Sequence, residues 1–520
     1  MRQPARGRAT RSQEGVLETV PAPVGGWNAR DSIADMKPYD AIILDNFFPT
    51  PADVMLRKGR EEHVTGISGQ VESLMPYSTA DGTETLFAAA GAALYDVTTA
   101  GAVGSAVQSG LTNARWQYVN FATTGGAFLQ CYNGADKIRL WDGSTWEAQD
   151  GTSTHAITGI TTSDVINGTV HKNRIWLVKK NSLSAYYLPT DAIAGVATAF
   201  PLTGVAKKGG YIVALDTWTL DAGDGSDDHW VAVTSEGQVI VYKGTDPASS
   251  TTWGLVGVWN LGAPIGRRSL LKWAGDLLIV TKEGVFPLAK ALVSAQVDPK
   301  VALTDKIVGA MKDAAQIYSD NFGWQMLHYP GDSMLILNVP TSEGSGQHQY
   351  VMNTITGAWC RFKDWEANCW ALFQGEPYFG GDGVVCKVWG VYDDDATNIN
   401  GDAKTAFNYF KMGRRKKQWT MARPILKANG SPAVLIGLNV DYEDSEPVST
   451  LAFAATTYGL WDTALWDSGV WGGDLAVLRA WQSVSGLGIT AATRLKVASK
   501  GIQVRWQATD YIYKPASIGP

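Results

Sequence analysis

From about Val71 to Lys411 the chain repeats one pattern: four to six strand-forming residues, a glycine or Asx turn, and a second such run. TLFAAAGAALYDV, FLQCYNGADKIRLWDGSTW, RIWLVKKNSLSAYYL, HWVAVTSEGQVIVYKG and DLLIVTKEGVFPL all have this form. Turns such as Ser235-Glu236-Gly237 and Lys282-Glu283-Gly284 are hairpin chemistry, because glycine supplies a positive φ without steric cost. Helical periodicity is weak throughout; ALTDKIVGAMKDAAQIY (Ala302 to Tyr318) is the best helical candidate, with a shorter helix-compatible piece around Lys37 to Asn46. With 56 glycines, 21 prolines and 21 tryptophans, the balance favours many short strands.

Such hairpins predict an all-β fold. A divergent β-propeller is the simplest architecture, since radial blades protect strand edges, and a pair of stacked sandwiches is its rival. Residues 71–412 are assigned to the propeller and 413–520 to a small β-sandwich. In the sandwich Leu495 and Val497, and after a Ser499-Lys500-Gly501 turn Ile502, Val504, Trp506 and Ala508, alternate with polar residues. That is the pattern of a half-buried antiparallel hairpin. Residues 23–70 read as an extended docking segment. Residues 1–22, with Arg2, Arg6, Arg8 and Arg11, read as a flexible basic arm; they have no apolar core of a secretory signal.

Trp461, Trp466 and Trp471 recur every five residues in WDTALWDSGVWGG. Trp-Asp propeller repeats recur at about 40–45 residues behind a Gly-His pair, so these dipeptides are not that repeat. The ladder reads as a looped excursion whose indoles pack on the domain, form a protein-contact surface or stack on sugar. Arg414, Arg415, Lys416 and Lys417 form a basic run that either touches phosphates, pairs with acids of a neighbouring subunit or is simply solvated. Asp221, Asp224, Asp227 and Asp228 crowd one loop, but their spacing departs from the calcium-loop pattern, and a solvated acidic turn is the plainer reading.

Cys131, Cys360, Cys369 and Cys386 lack CxxC spacing and read as buried free thiols. The GxSxG, HExxH, Walker and GxGxxG signatures are missing, so neither a catalytic centre nor a cofactor is expected; a pair of glycosidase carboxylates needs no fixed spacing and stays open. The Asn167 and Asn429 sequons are read as chance matches. A net charge of −6 argues against a protein that coats itself in nucleic acid.

Three groups of residues resemble one family. GGWNARDSIADMKPYDAIILDNFFPTPADVMLRKG is similar to the opening of tail proteins of short-tailed bacteriophages. HKNRIWLVKKNSLSAYYLPTDAIAG and GGYIVALDTWTLDAGDGSDDHWVAVTSEGQVIVYKGTDP resemble their central part. YVMNTITGAWCRFKDWEANCWALFQGEPYFGGDGVV and the Trp461 ladder resemble their C-terminal third. The resemblance is to the tail nozzle, or hub (tail tube B), of podoviruses. It implies a homohexameric ring below the dodecameric head-to-tail adaptor, assembled in the host bacterial cytoplasm and carried in the virion. Such a ring encloses the DNA exit channel without sequence-specific binding and docks tail fibres or spikes. No catalytic residues come with the family. A host-glycan-binding or glycan-degrading tailspike and a peptide-binding cellular propeller are the alternatives.

Overall fold

The turn-punctuated runs fold as short antiparallel strands because each has too few residues to repay helix nucleation and enough β-branched and aromatic side chains to pack on a pleated surface. The structure, a computed structural model, describes residues 15–221, 226–293, 298–413, 415–453 and 475–516. The fold is all-β and divides into two compact units: Lys58–Val391, and the chain up to Arg57 together with the chain from Tyr392 onward. Among the described residues no helix is long and apolar enough to cross a membrane.

The Lys58–Val391 unit is a β-propeller, with seven blades among the described residues. Blade 2 (Gln117–Thr123, Gly126–Tyr132, Ile138–Trp141, Trp146–Gln149) is a four-stranded meander. So are blade 3 (Val165–His171, Arg174–Lys179, Ser184–Tyr187, Thr198–Pro201) and blade 4 (Ile212–Asp221, Ser226–Thr234, Gln238–Gly244, Trp253–Asn260). Blade 5 has three strands, Leu270–Trp273, Asp276–Thr281 and Gly284–Pro287. Blade 6 is Gln325–Tyr329, Met334–Ser342, Ser345–Asn353 and Trp359–Phe362. The strand Arg60–Ser78 serves two blades. Residues 71–78 open blade 1 beside Glu84–Ala90 and Ala93–Asp96, whereas residues 60–70 pair with Asp382–Val388 and complete blade 7 (Cys369–Phe373, Glu376–Gly380, Asp382–Val388).

Apolar clusters lie between successive blades. Trp176 of blade 3 stacks on Trp253 of blade 4 with ring centroids 5.5 Å apart, and Trp230 and Tyr242 complete that wedge. The Ser235–Gly237 and Lys282–Gly284 turns are hairpin turns as expected. Glycine is required at Gly237: its φ is 74°, and a Cβ there would lie 2.2 Å from the Leu261 carbonyl oxygen. All four cysteines are buried and free. The helical candidate is shorter than expected: Val308–Tyr318 is α-helix, preceded by a 3-10 turn at Asp305–Ile307.

The second unit is a β-sandwich. One sheet contains Val16–Pro21, Phe47–Pro49, Val54–Leu56, Lys417–Ala428, Ala476–Arg479, Gln482–Gly488 and Val504–Pro515. The other contains Gly26–Trp27, Asp40–Asp45, Ile399–Thr405, Ala433–Val440, Ser449–Leu451 and Ala491–Ser499. The sheets meet face to face at Gly401, where a Cβ would sit 2.6 Å from the Phe47 ring and 2.7 Å from Leu56.

Several boundaries differ from the sequence reading. Residues 16–21 of the expected arm pair with Ala508–Tyr513, and the docking segment supplies further sandwich strands up to Leu56. The remainder of that segment, 58–70, belongs to the propeller, and residues 392–412 belong to the sandwich. Asp40–Asp45 is a strand rather than a helix, held against Ile399–Thr405. The expected C-terminal hairpin is not a hairpin: Ala491–Ser499 and Val504–Pro515 lie in opposite sheets. Alternation reports only that one face is buried, and a strand of either sheet satisfies it.

At the end of its first sandwich segment the chain is anchored by Arg57. Its guanidinium is fully buried and donates to both Asp394 carboxylate oxygens, at 2.8 and 2.6 Å, and to Asn46 Oδ1 at 3.0 Å. Arg57→Ala strands a buried carboxylate and is expected to cost the sandwich about 3–5 kcal/mol. Urea unfolding followed by tryptophan fluorescence checks it, with the exposed-pair variant Lys137→Ala expected to stay within about 1 kcal/mol of the parent.

Candidate functional site

A propeller's inner strands leave an axial space whose lining is set by the first strand of each blade. Here all seven first strands contribute to a cavity of about 570 Å³. Its volume is in the range of a small-ligand pocket, about 300–1,000 Å³. Successive first strands touch one another around the ring, so the cavity walls are also the inter-blade contacts.

Polar side chains in the wall bind to each other across blades. Lys272 of blade 5 reaches Asp216 of blade 4 at 3.1 Å, and Thr169 of blade 3 donates to the same carboxylate at 3.1 Å. The Thr217 amide donates to Asp216 as well, at 2.7 Å. Tyr118 faces the space, and burial pushes its hydroxyl up to about 12. Asp216 is the one carboxylate among the described lining residues. Glycoside hydrolysis by paired carboxylates needs two, about 5–9.5 Å apart, so this cavity does not supply that pair.

Arg267 and Arg268 occupy one end of the axis. Arg268 donates to the Glu72 carbonyl at 3.0 Å, Ser73 Oγ at 2.6 Å, the Trp116 carbonyl at 3.0 Å and Gln325 Oε1 at 3.2 Å. Gln325 in turn donates to the Trp370 carbonyl at 2.7 Å. One side chain from the segment before blade 5 thereby ties blades 1, 6 and 7 together. Burial lowers the Arg268 pKa, yet a guanidinium stays charged in proteins. Phe322 lies under two guanidinium groups, with Arg115 at 4.5 Å and Arg268 at 5.0 Å from its ring centre. Arg267 donates to the Asn133 carbonyl at 3.1 Å and lines the central cavity together with two smaller ones of about 320 and 340 Å³.

None of these axial residues stood out in the sequence. The available signal was the Arg267-Arg268 doublet, which ends a run from Pro247 to Gly266 without a charged residue. Of the expected contact residues, Trp461, Trp466, Trp471 and Arg414 lie outside the described residues. Arg415 and Lys416 are exposed. Lys417 is a correction: it is fully buried at the start of its strand, and its ammonium donates to the carbonyls of Met412, Arg415 and Ile489 at 2.9, 3.1 and 2.7 Å. Burial lowers its pKa. It closes a loop of its own domain and is not available to a partner. In the acidic loop, Asp224 and the side chains of Asp221 and Asp227 lie outside the described residues. Asp228 accepts from Thr219 at 2.9 Å and from Lys172 at 2.9 Å. Among the described residues no group of three or more His, Cys, Asp or Glu side chains is placed to hold a metal ion.

No family model matches the chain, and no curated protein matches it. Solved structures give distant likenesses. The extracellular domain of a hybrid two-component system from B. thetaiotaomicron is 13% identical with a TM-score of 0.41; the match covers 70% of this chain and 42% of that one, so this chain spans less than half its length. The β-propeller domain of Cps50 (Swd1) from Myceliophteria thermophila is 13% identical, TM-score 0.40, over 64% of this chain and 99% of that domain. Chaetomium thermophilum Raptor is 10% identical, TM-score 0.39, over 64% and 29%. At these TM-scores the propeller rests on the strand pairing described above, and function rests on neither.

Two measurements probe the axis. Arg268→Leu removes the guanidinium hydrogen bonds to Glu72, Ser73, Trp116 and Gln325 and is expected to cost the propeller on the order of 2–4 kcal/mol in denaturant unfolding. His171 ends the inner strand of blade 3, buried against Trp253 and 3.1 Å from Thr217 Oγ1. Burial, with smaller pushes from Lys172 and Lys272 against the pull of Asp228, lowers its pKa from 6.5 to about 4. The folded state therefore resists protonation. Its contribution is complete above pH 6.5 and is lost as pH falls toward 4, by about 3 kcal/mol. A pH series of melting curves should show this slope in the parent and lose it in His171→Gln.

Proposed function

We propose that this chain is a structural, ring-forming subunit of a short phage tail, enclosing a DNA passage between copies of itself and acting through shape rather than through reactive groups. In this reading the ring is a hexamer seated below the head-to-tail adaptor and offers docking surfaces to fibres or spikes. The sequence resemblance in three separated parts of the chain motivates it.

The observation that carries the reading is the state of the propeller axis. Arg268 bridges it by hydrogen bonds to blade 1, blade 6 and Trp116 just before blade 2, and the remaining space is about 570 Å³. A nucleic-acid duplex, whose major groove alone is about 12 Å wide, cannot thread a cavity of that size. A passage for DNA must then lie between subunits, with each propeller serving as a rigid wall or outrigger. Charge supports the same role: a subunit of net charge −6 repeated around a passage repels phosphate, which favours sliding over capture.

Mass photometry and electron microscopy of the purified protein test this. The expected particle is a ring of six subunits of 55.9 kDa each around an open pore. A strictly monomeric protein that is also missing from tails of assembled particles would overturn it. Release of sugar from host polysaccharide by the purified protein would replace it with the tailspike reading.

A further inference from the structure

Outer strands of blades are open edges, and proteins normally blunt them with charge, proline, brevity or a covering element. Most outer strands here follow that rule. Ala93–Asp96 ends in an aspartate, Trp146–Gln149 contains Glu147, and Thr198–Pro201 and Gly284–Pro287 end in proline; each has four residues. Trp253–Asn260 of blade 4 departs from it: eight residues, WGLVGVWN, with neither charge nor proline. A bulge at Val256 turns two consecutive apolar side chains to solvent, leaving Leu255 47% and Val256 49% exposed. Gly254 has a negative φ, and a Cβ there would meet nothing within 4 Å, so neither backbone nor packing within the chain demands glycine. A strand glycine of that kind suits close approach by another backbone.

The sandwich carries a matching edge. Gln482–Gly488, QSVSGLG, pairs on one side with Lys417–Ala428 and, among the described residues, with no strand on the other. It too lacks charge and proline, and Leu487 is 61% exposed. The two units differ in charge. Lys58–Val391 holds 23 Lys and Arg against 31 Asp and Glu, while the rest of the chain holds 21 against 19. Like units of this protein repel when their propellers meet, and a propeller facing a sandwich does not. Two different complementary edges on one subunit make a heterologous contact, the kind that closes into rings.

We infer that copies of this chain associate head to tail by β-augmentation, the Trp253–Asn260 edge of one propeller pairing with the Gln482–Gly488 edge of the next copy's sandwich. The inference rests on the ring reading above and specifies the contact that builds the ring.

Two full-length variants, Val256→Cys and Ser485→Cys, are mixed, assembled and oxidised; both positions are exposed, and the native cysteines are buried and free. The expected product is a disulfide between the two variants, at least tenfold more abundant than either self-linked species. In parallel, Val256→Lys is expected to raise the concentration needed for assembly at least tenfold while leaving the melting curve of the subunit unchanged. A ring that forms without the mixed disulfide, and that tolerates Val256→Lys, overturns this contact and leaves the ring reading standing. A mixed disulfide in open chains supports the contact and overturns the closed ring. A Val256→Cys disulfide with itself as the main product means a two-fold contact and overturns the head-to-tail arrangement.

Discussion

Closure of the propeller depends on one strand. A circular array of blades leaves its first and last blades unjoined unless the chain ends meet, and Arg60–Ser78 joins them by pairing Arg60–Gln70 with blade 7 and Val71–Ser78 with blade 1. The split is covalent, so the first and last blades cannot separate without breaking a strand's hydrogen bonds along most of its length. The two-residue strand Gly101–Ala102 adds a parallel pair to Val64 and Thr65, and His63 bonds the Val97 carbonyl at 3.0 Å. Those contacts fix blade 1 to the closing strand from a second side. Everything at the axis presupposes this closure, because Arg268 can reach Glu72, Ser73, Trp116 and Gln325 only when blades 1, 5 and 6 stand around one centre.

The axis then shows what the closed ring is suited to. Its charged groups are paired: Asp216 with Lys272, Thr169 and Thr217, and Arg268 with acceptors from blade 1, blade 6 and Trp116 just before blade 2. Groups paired in this way resist displacement, since an incoming ligand must replace hydrogen bonds already made in a partly desolvated space. A centre whose charged groups are already paired leaves the exposed blade edges as the more available interaction chemistry.

Much of the fold was legible in the sequence because turn chemistry is local. Ser235-Glu236-Gly237 and Lys282-Glu283-Gly284 announce their hairpins through a glycine that the backbone requires. The blade period was not legible, for physical reasons that differ from blade to blade. Blade 1 borrows its opening strand, blade 5 has three strands, and the chain between blades 5 and 6 carries the Val308–Tyr318 helix. The C-terminal alternation reports one buried face but not a hairpin, because period two does not say which partner lies alongside. Lys417 is illegible for a similar reason: a basic run looks solvated, and only the surrounding carbonyls reveal that one ammonium is enclosed. The axial arginines carry no periodic signal at all, since their partners lie 57 to 196 residues away in sequence.

The order of the chain adds a constraint on assembly. The sandwich is discontinuous: Thr19 donates to Asp510 across 491 residues, and Val16–Pro21 pairs with Ala508–Tyr513. Bringing such distant segments together is entropically unfavourable for an unfolded chain, and non-local pairing of this kind is slow. Folding of the propeller removes most of that separation, because it brings its own ends together, with the Gly59 amide donating to the Val391 carbonyl at 2.7 Å. The propeller is therefore the element that makes the sandwich reachable, and the sandwich is complete only when the last strand, Val504–Pro515, has been synthesised. A contact that needs an edge from each unit, as inferred above, is unavailable to a partial chain. Self-association would then be confined to finished subunits, which is what an ordered ring requires if open, mis-registered oligomers are to be avoided.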